Sequence, residues 1–266
     1  MSAGIEAKPD PKIDAETHRW WTFLRGASVV NGALLAATGA LVPIDSPIRA
    51  AQIACAAIYV AVCAFRSFFP RVDLERTVLV DHPLSSIALG RSAATVAELA
   101  FTAQCALFVD ALAGGVGWRH AVAIVLVPLI AFAQGCCWLG VLTLDHRWHA
   151  AEEALWTVAM ALLAVAFGTS FTAASPTVRA ALILGGLACM GAAYVMAVVD
   201  IPMYLRRARD ERAAGTPTLT VAAGVVDAVH RRHPTGAWAV WRREVLWMTP
   251  YFSVAVWISL ALVWLA

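Results

Sequence analysis

Charge is scarce in this chain: Asp, Glu, Lys and Arg make up 14% of 266 residues. A soluble domain carries about 25% charged residues. Lysine is nearly absent, with Lys8 and Lys12 standing against eighteen arginines. Both lysines precede the first apolar run, so no retinal-type Schiff base can form inside a span. No CxxC pair occurs among the six cysteines, which rules out a thioredoxin-like redox motif and a zinc knuckle. HExxH and ExxH are missing as well. A net charge of +2, with its arginines scattered over several loops, excludes nucleic acid as a partner.

Apolar side chains are what the chain has instead, at 61%. So much apolar surface cannot be covered by so few polar residues, which points to the bilayer as solvent. A helical span needs about 20 mainly apolar residues. Seven stretches qualify: 22–42, 48–68, 85–112, 119–143, 150–173, 178–204 and 245–265. Pro43, Pro47, Pro70, Pro83 and Pro176 mark the breaks, where a helix ends or begins. The expected fold is an all-α, multi-pass bundle of seven transmembrane helices over residues 22–266, after an N-terminal tail over residues 1–21.

Fifteen basic residues fall on the side of the N-terminus, counting from Lys8 and Lys12 to Arg242 and Arg243. Only Arg49, Arg119 and Arg179 fall on the other. By the positive-inside rule the N-terminus is cytoplasmic and the C-terminus outside. Heavy arginine and alanine use suggests a bacterial inner-membrane protein. Eleven tryptophans divide between anchors and interior positions. Trp20, Trp21, Trp148, Trp238, Trp241 and Trp247 are expected at one interface, and Trp118 and Trp264 at the other. Gly185, Gly186 and Gly191 suit close helix contact. Leu219, Ala222, Val226 and Val229 predict an amphipathic helix on the leaflet near 216–233.

Ionisable groups inside spans are costly and mark candidate sites. Glu98 lies about 13 residues, or ~20 Å, into the third stretch. Unpaired burial would raise its pKa and make it a general acid; pairing with Arg91 or Arg25 would make it structural. Asp200 closes the sixth stretch, and Glu152 joins these two as a catalytic candidate. In the run Asp145–Glu153, an Asp145 cap places His146, His149 and Glu153 within a wedge of about 60° on one helix face. Two imidazoles and a carboxylate suit Fe(II) or Zn(II). Asn31, Gln134, Trp138, Trp156 and Tyr251 are expected to bind and orient a hydrophobic small-molecule substrate. The leading expectation is a metal-assisted oxidation or hydrolysis of a lipid or isoprenoid-like molecule, reached from the cytoplasmic leaflet. A metal-free isomerase or terpenoid cyclase using the carboxylates is the second, and a proton-coupled transporter the third. No internal repeat favours the last.

Overall fold

The computed structural model describes residues 13–115 and 117–265. Lys8, Lys12 and most of the expected tail lie outside that set. The chain is all-α, and seven of its helices are long and apolar enough to cross a membrane. Helix α1 spans Ala15–Leu41, α2 Pro47–Phe68, α3 Ile87–Ala113, α4 Gly117–Thr143 and α5 His146–Ser170. The sixth crossing is α6, Pro176–Val195, which runs through a π-helical turn, Met196–Asp200, into α7, Ile201–Ala213. After α8 (Val221–His230) and α9 (Trp238–Trp241), the seventh crossing is built from α10 (Val245–Phe252) and α11 (Val254–Leu265).

The sequence boundaries shift where local chemistry overrides hydropathy. The fifth helix begins at His146, because the Asp145 carboxylate accepts from the backbone N–H of Arg147 and caps it. The sixth does not close at Asp200. Ile201 donates to the carbonyl of Met196, five residues back, and this widened turn absorbs Pro202, which brings no N–H. In the seventh crossing, the break at Ser253 (φ −126°, ψ −75°) follows Pro250. It frees the Phe252 carbonyl, and the Asn31 amide of α1 donates to it at 2.8 Å.

Consecutive helices pack side by side, and α11 returns to α2, α1 and α3. One apolar core gathers Phe108, Leu126, Ile130, Leu163 and Phe167 between α3, α4 and α5. A second surrounds Trp20, Leu24, Tyr59, Met248 and Phe252. Trp241 is not an interfacial anchor: it is fully buried, tilted against Trp20, with its indole N–H on the Thr235 carbonyl. Of the glycines on α6, only Gly185 meets a neighbour, Phe167; Gly186 and Gly191 have open space beside them.

At the end of the bundle that carries most of the arginines, the loops form a cap. Strands β1 (Arg71–Val72) and β2 (Thr77–Val78) pair antiparallel, and β3 (His233–Pro234) joins β2 in parallel. Arg76 is fully buried at its centre. It donates to Asp227 at 2.7 Å, to the Asp73 carbonyl at 2.6 Å and to the Val141 carbonyl at 2.8 Å. The Val141 carbonyl belongs to the last turn of α4, where helix carbonyls lack intrahelical donors. Leu219 N–H satisfies another of them, Thr143. The expected amphipathic segment is α8, and its small-residue face meets the protein. Gly224 and Ala228 are buried, whereas Val221, Val225, Val226 and Val229 are exposed.

Candidate functional site

Below this cap, polar side chains from α3, α4 and α10 close around Glu98. Arg91, two turns earlier on the same face of α3, donates to Glu98 Oε1 at 2.8 Å and to Gln134 Oε1 at 2.9 Å. The Gln134 amide donates to Glu98 Oε2 at 2.6 Å, and the Tyr251 hydroxyl donates to Oε1 at 3.3 Å. Thr95 donates to Gln134 Oε1, and the Trp138 indole donates to Thr95. The unpaired acid expected at Glu98 is therefore not what the fold makes. Its carboxylate is held by a guanidinium, an amide and a phenol. Arg25 plays no part, since it lies over the Trp21 ring, 4.0 Å from its centroid.

A second group begins at the tight turn between α4 and α5. Leu144 adopts φ 59°, a left-handed conformation that costs a non-glycine residue about 1–2 kcal/mol. The turn lays the first helical residues of α5 against the last turns of α4. The His149 ring fits against Gly140, where a Cβ would stand 2.5 Å from Nε2. Tyr204 of α7 stacks on the same ring, with centroids 5.3 Å apart. His149 Nδ1 lies 2.9 Å from Glu152 Oε2, and the Cys137 thiol is in hydrogen-bonding contact with Glu152. Ligand atoms of Cys137, His149 and Glu152 all lie within 4.8 Å of one another, and all three residues are buried. His149 Nε2 is itself buried without a hydrogen-bond partner among the described residues.

This trio differs from the one read off the helical wheel. Among the described residues, His146, His149 and Glu153 do not gather as a ligand set. His146 turns to Glu211 of α7, at 2.9 Å, and Glu153 stands within electrostatic reach of Glu152, Asp200 and Tyr204 without joining the ligand set. The carboxylates of Glu153 and Asp200 accept no hydrogen bond among the described residues. The remaining candidates scatter. Gln134, Trp138 and Tyr251 belong to the Glu98 network. Asn31 uses both ends of its amide between helices, accepting from Trp257 at 3.0 Å. Trp156 lines a small apolar cavity with Phe101, Leu126 and Ile130, which has room for little more than a water molecule.

At the rim, outside the spans, two carboxylates feel opposite environments. The Arg147 guanidinium bonded to Asp145 holds that carboxyl below the usual range. Burial pushes Glu244 up, against the opposing effect of its bond from the Trp247 indole.

Several contributors carry no signal in spacing. Cys137 looks like any other small apolar residue of α4, and Tyr204 lies 55 positions beyond His149 in number. Gln52 and Gln104 are a different matter. Both are in-span amides, so a scan for polar residues in spans finds them. They exchange reciprocal bonds to each other's carbonyls at 3.0 Å, and Ser259 of α11 joins them.

No protein-family model, curated protein or solved structure matches the chain.

Proposed function

We propose that the chain is a membrane-embedded hydrolytic enzyme acting on a lipid or isoprenoid-like substrate, assisted by a zinc ion held by Cys137, His149 and Glu152. The observation that carries the reading is the meeting of those three side chains, buried and with their ligand atoms within 4.8 Å of one another, in helices long and apolar enough to span a membrane. Ionisable groups at membrane depth persist when they pair or serve a function. A thiolate, an imidazole and a carboxylate form a borderline-soft set that suits zinc better than iron, and three protein ligands leave a tetrahedral position open. The ion would supply Lewis-acid chemistry. Glu153, Asp200 and Tyr204 stand beside the trio, and the two carboxyls would be the groups that exchange protons there. The Arg91–Glu98–Gln134 network holds α3 against α4 and fixes the wall of the site.

In this reading the arginine-rich end faces the cytoplasm of a bacterial inner membrane, as the distribution of basic residues favours. Reporter fusions in the 214–220 loop and after α11 test the orientation: the first should read as cytoplasmic and the second as external.

Metal analysis of the purified protein tests the site. Near-stoichiometric zinc is expected, lost in Cys137→Ser and Glu152→Gln but kept in His146→Ala. A protein free of metal after zinc is added back overturns the proposal. Metal-free acid–base chemistry is the second reading, and it rests on the Glu153 and Asp200 carboxylates, which no hydrogen bond among the described residues occupies. Turnover that survives chelation and Cys137→Ser, but not Glu153→Gln, would establish it instead.

A further inference from the structure

At the arginine-rich end, the last turn of α2 and the strand that follows it hold two guanidinium groups that no carboxylate among the described residues bonds. Arg66 is 4% exposed, and among the described residues it makes no hydrogen bond at all. Its neighbours are the faces of Tyr251 and Phe252, 5.9 and 5.8 Å from its guanidinium carbon. Arg71 is 1% exposed. It spends its Nε on the Phe69 carbonyl and its Nη1 on the Ser86 carbonyl at 2.7 Å, both neutral, while its Nη2 is buried and unpartnered.

The fold makes room for this arrangement. Gly90 lets the Arg71 side chain lie flat on α3, where a Cβ would stand 2.3 Å from Nη1. Phe65 supports the same guanidinium from 4.9 Å. Neither arginine forms an ion pair with a carboxylate among the described residues. Asp73 stands within electrostatic reach of Arg71, yet its own Oδ1 is buried without a partner. Burial, and then the Arg66 charge, pull the Arg71 pKa down to about 10. Two buried like charges within electrostatic reach of each other, with a single carboxylate nearby that bonds to neither, work against the fold unless an anion joins them.

We infer that Arg66 and Arg71 form a binding site for a phosphoryl group at the membrane boundary. Free donors remain on both guanidinium groups, and planar N–H forks match the oxygens of a phosphoryl group. With Asp73 counted, one positive charge is left over, which a diester or a singly protonated monoester neutralises. Arg66 lies in the last turn of α2, which ends at Phe68. That is the depth at which a lipid presents its phosphate. The inference stands independently of the metal trio on α4 and α5, since it shares no residue with it.

Binding measurements on the full chain in a neutral detergent test the site. The probes are short-chain phosphatidate, the matching diacylglycerol, and inorganic phosphate with pyrophosphate. Phosphatidate should bind and raise the thermal midpoint, and diacylglycerol should do neither. If phosphate or pyrophosphate binds as well as phosphatidate, the phosphoryl site stands and its ligand is water-soluble. Arg66→Met should weaken binding by at least about tenfold, as expected on losing charge-assisted hydrogen bonds. Arg66→Lys keeps the charge but not the fork, so it gives the same reading if the methionine variant does not fold. Equal binding by phosphatidate and diacylglycerol, with none by the inorganic anions, overturns the inference. So does an Arg66→Lys protein that binds as tightly as the parent.

Discussion

Replacing Gly140 by alanine probes the seat of His149 directly. The new Cβ would lie 2.5 Å from Nε2 and 2.6 Å from Cδ2. Ordinary contact begins near 3.4 Å, so the ring must retreat by roughly 1 Å. It has little freedom to do so. Tyr204 is stacked on it at 5.3 Å, and Glu152 Oε2 lies 2.9 Å from Nδ1. A retreat of that size stretches the Nδ1 contact beyond the ~3.2 Å limit of a hydrogen bond. Overpacking a filled interior costs about 1–3 kcal/mol. Losing a charged hydrogen bond adds about 1.5–3 kcal/mol. The expected destabilisation is therefore about 2.5–6 kcal/mol, accompanied, on the zinc reading, by loss of the metal. Gly135→Ala on the same helix is the control: its added Cβ meets nothing within 4 Å, and alanine is the better helix former. Thermal unfolding in detergent and metal content should be read on both variants. A Gly140→Ala protein as stable and as metal-replete as Gly135→Ala refutes the argument.

Glu98→Gln should destabilise by about 3–5 kcal/mol, because it leaves the Arg91 guanidinium buried beside an amide. The double variant Arg91→Met, Glu98→Gln should recover part of that loss in the same unfolding assay. Gln104→Leu removes the bonds joining α2, α3 and α11; at roughly 0.6 kcal/mol each in a membrane interior, the expected loss is about 2 kcal/mol. Gly224→Ala would place a Cβ 2.0 Å from the Leu142 carbonyl oxygen, so α8 should lift from α4, and proteolysis of the 214–220 loop should accelerate. The Asp145 carboxyl titrates below its unfolded value near ~3.9, so its contribution is present above that pH and fades as pH falls through the folded pKa. Asp145→Asn should flatten the acid limb of the stability profile below about pH 4; an unchanged limb would show that the Arg147 bond contributes nothing.

Composition and hydropathy were enough for the architecture. A bilayer imposes a length and an apolar content on each span, and both can be counted along the chain. The Asp145 cap was legible for a similar reason, because capping acts within a few residues. Glu98 and Gln134 stood out as polar groups in apolar stretches, and His149 and Glu152 as members of the polar run Asp145–Glu153 between the fourth and fifth. Which of them touch was not legible. Helical periodicity grouped His146, His149 and Glu153 on one face of α5, since a wheel sees a single helix. A left-handed Leu144 and a side chain missing at Gly140 turned His149 toward Glu152 and Cys137 instead. Arg91 lay in view, yet only packing of α3 on α4 and α10 could show that it occupies Glu98 together with Gln134 and Tyr251. The unpaired arginines at the end of α2 were ordinary loop charges in the sequence; burial against Phe65, Tyr251 and Phe252 made them something else. Sequence determined the solvent and the spans because those depend on local composition. The tertiary structure decided the partners, because a buried charge is defined by what long-range packing sets against it.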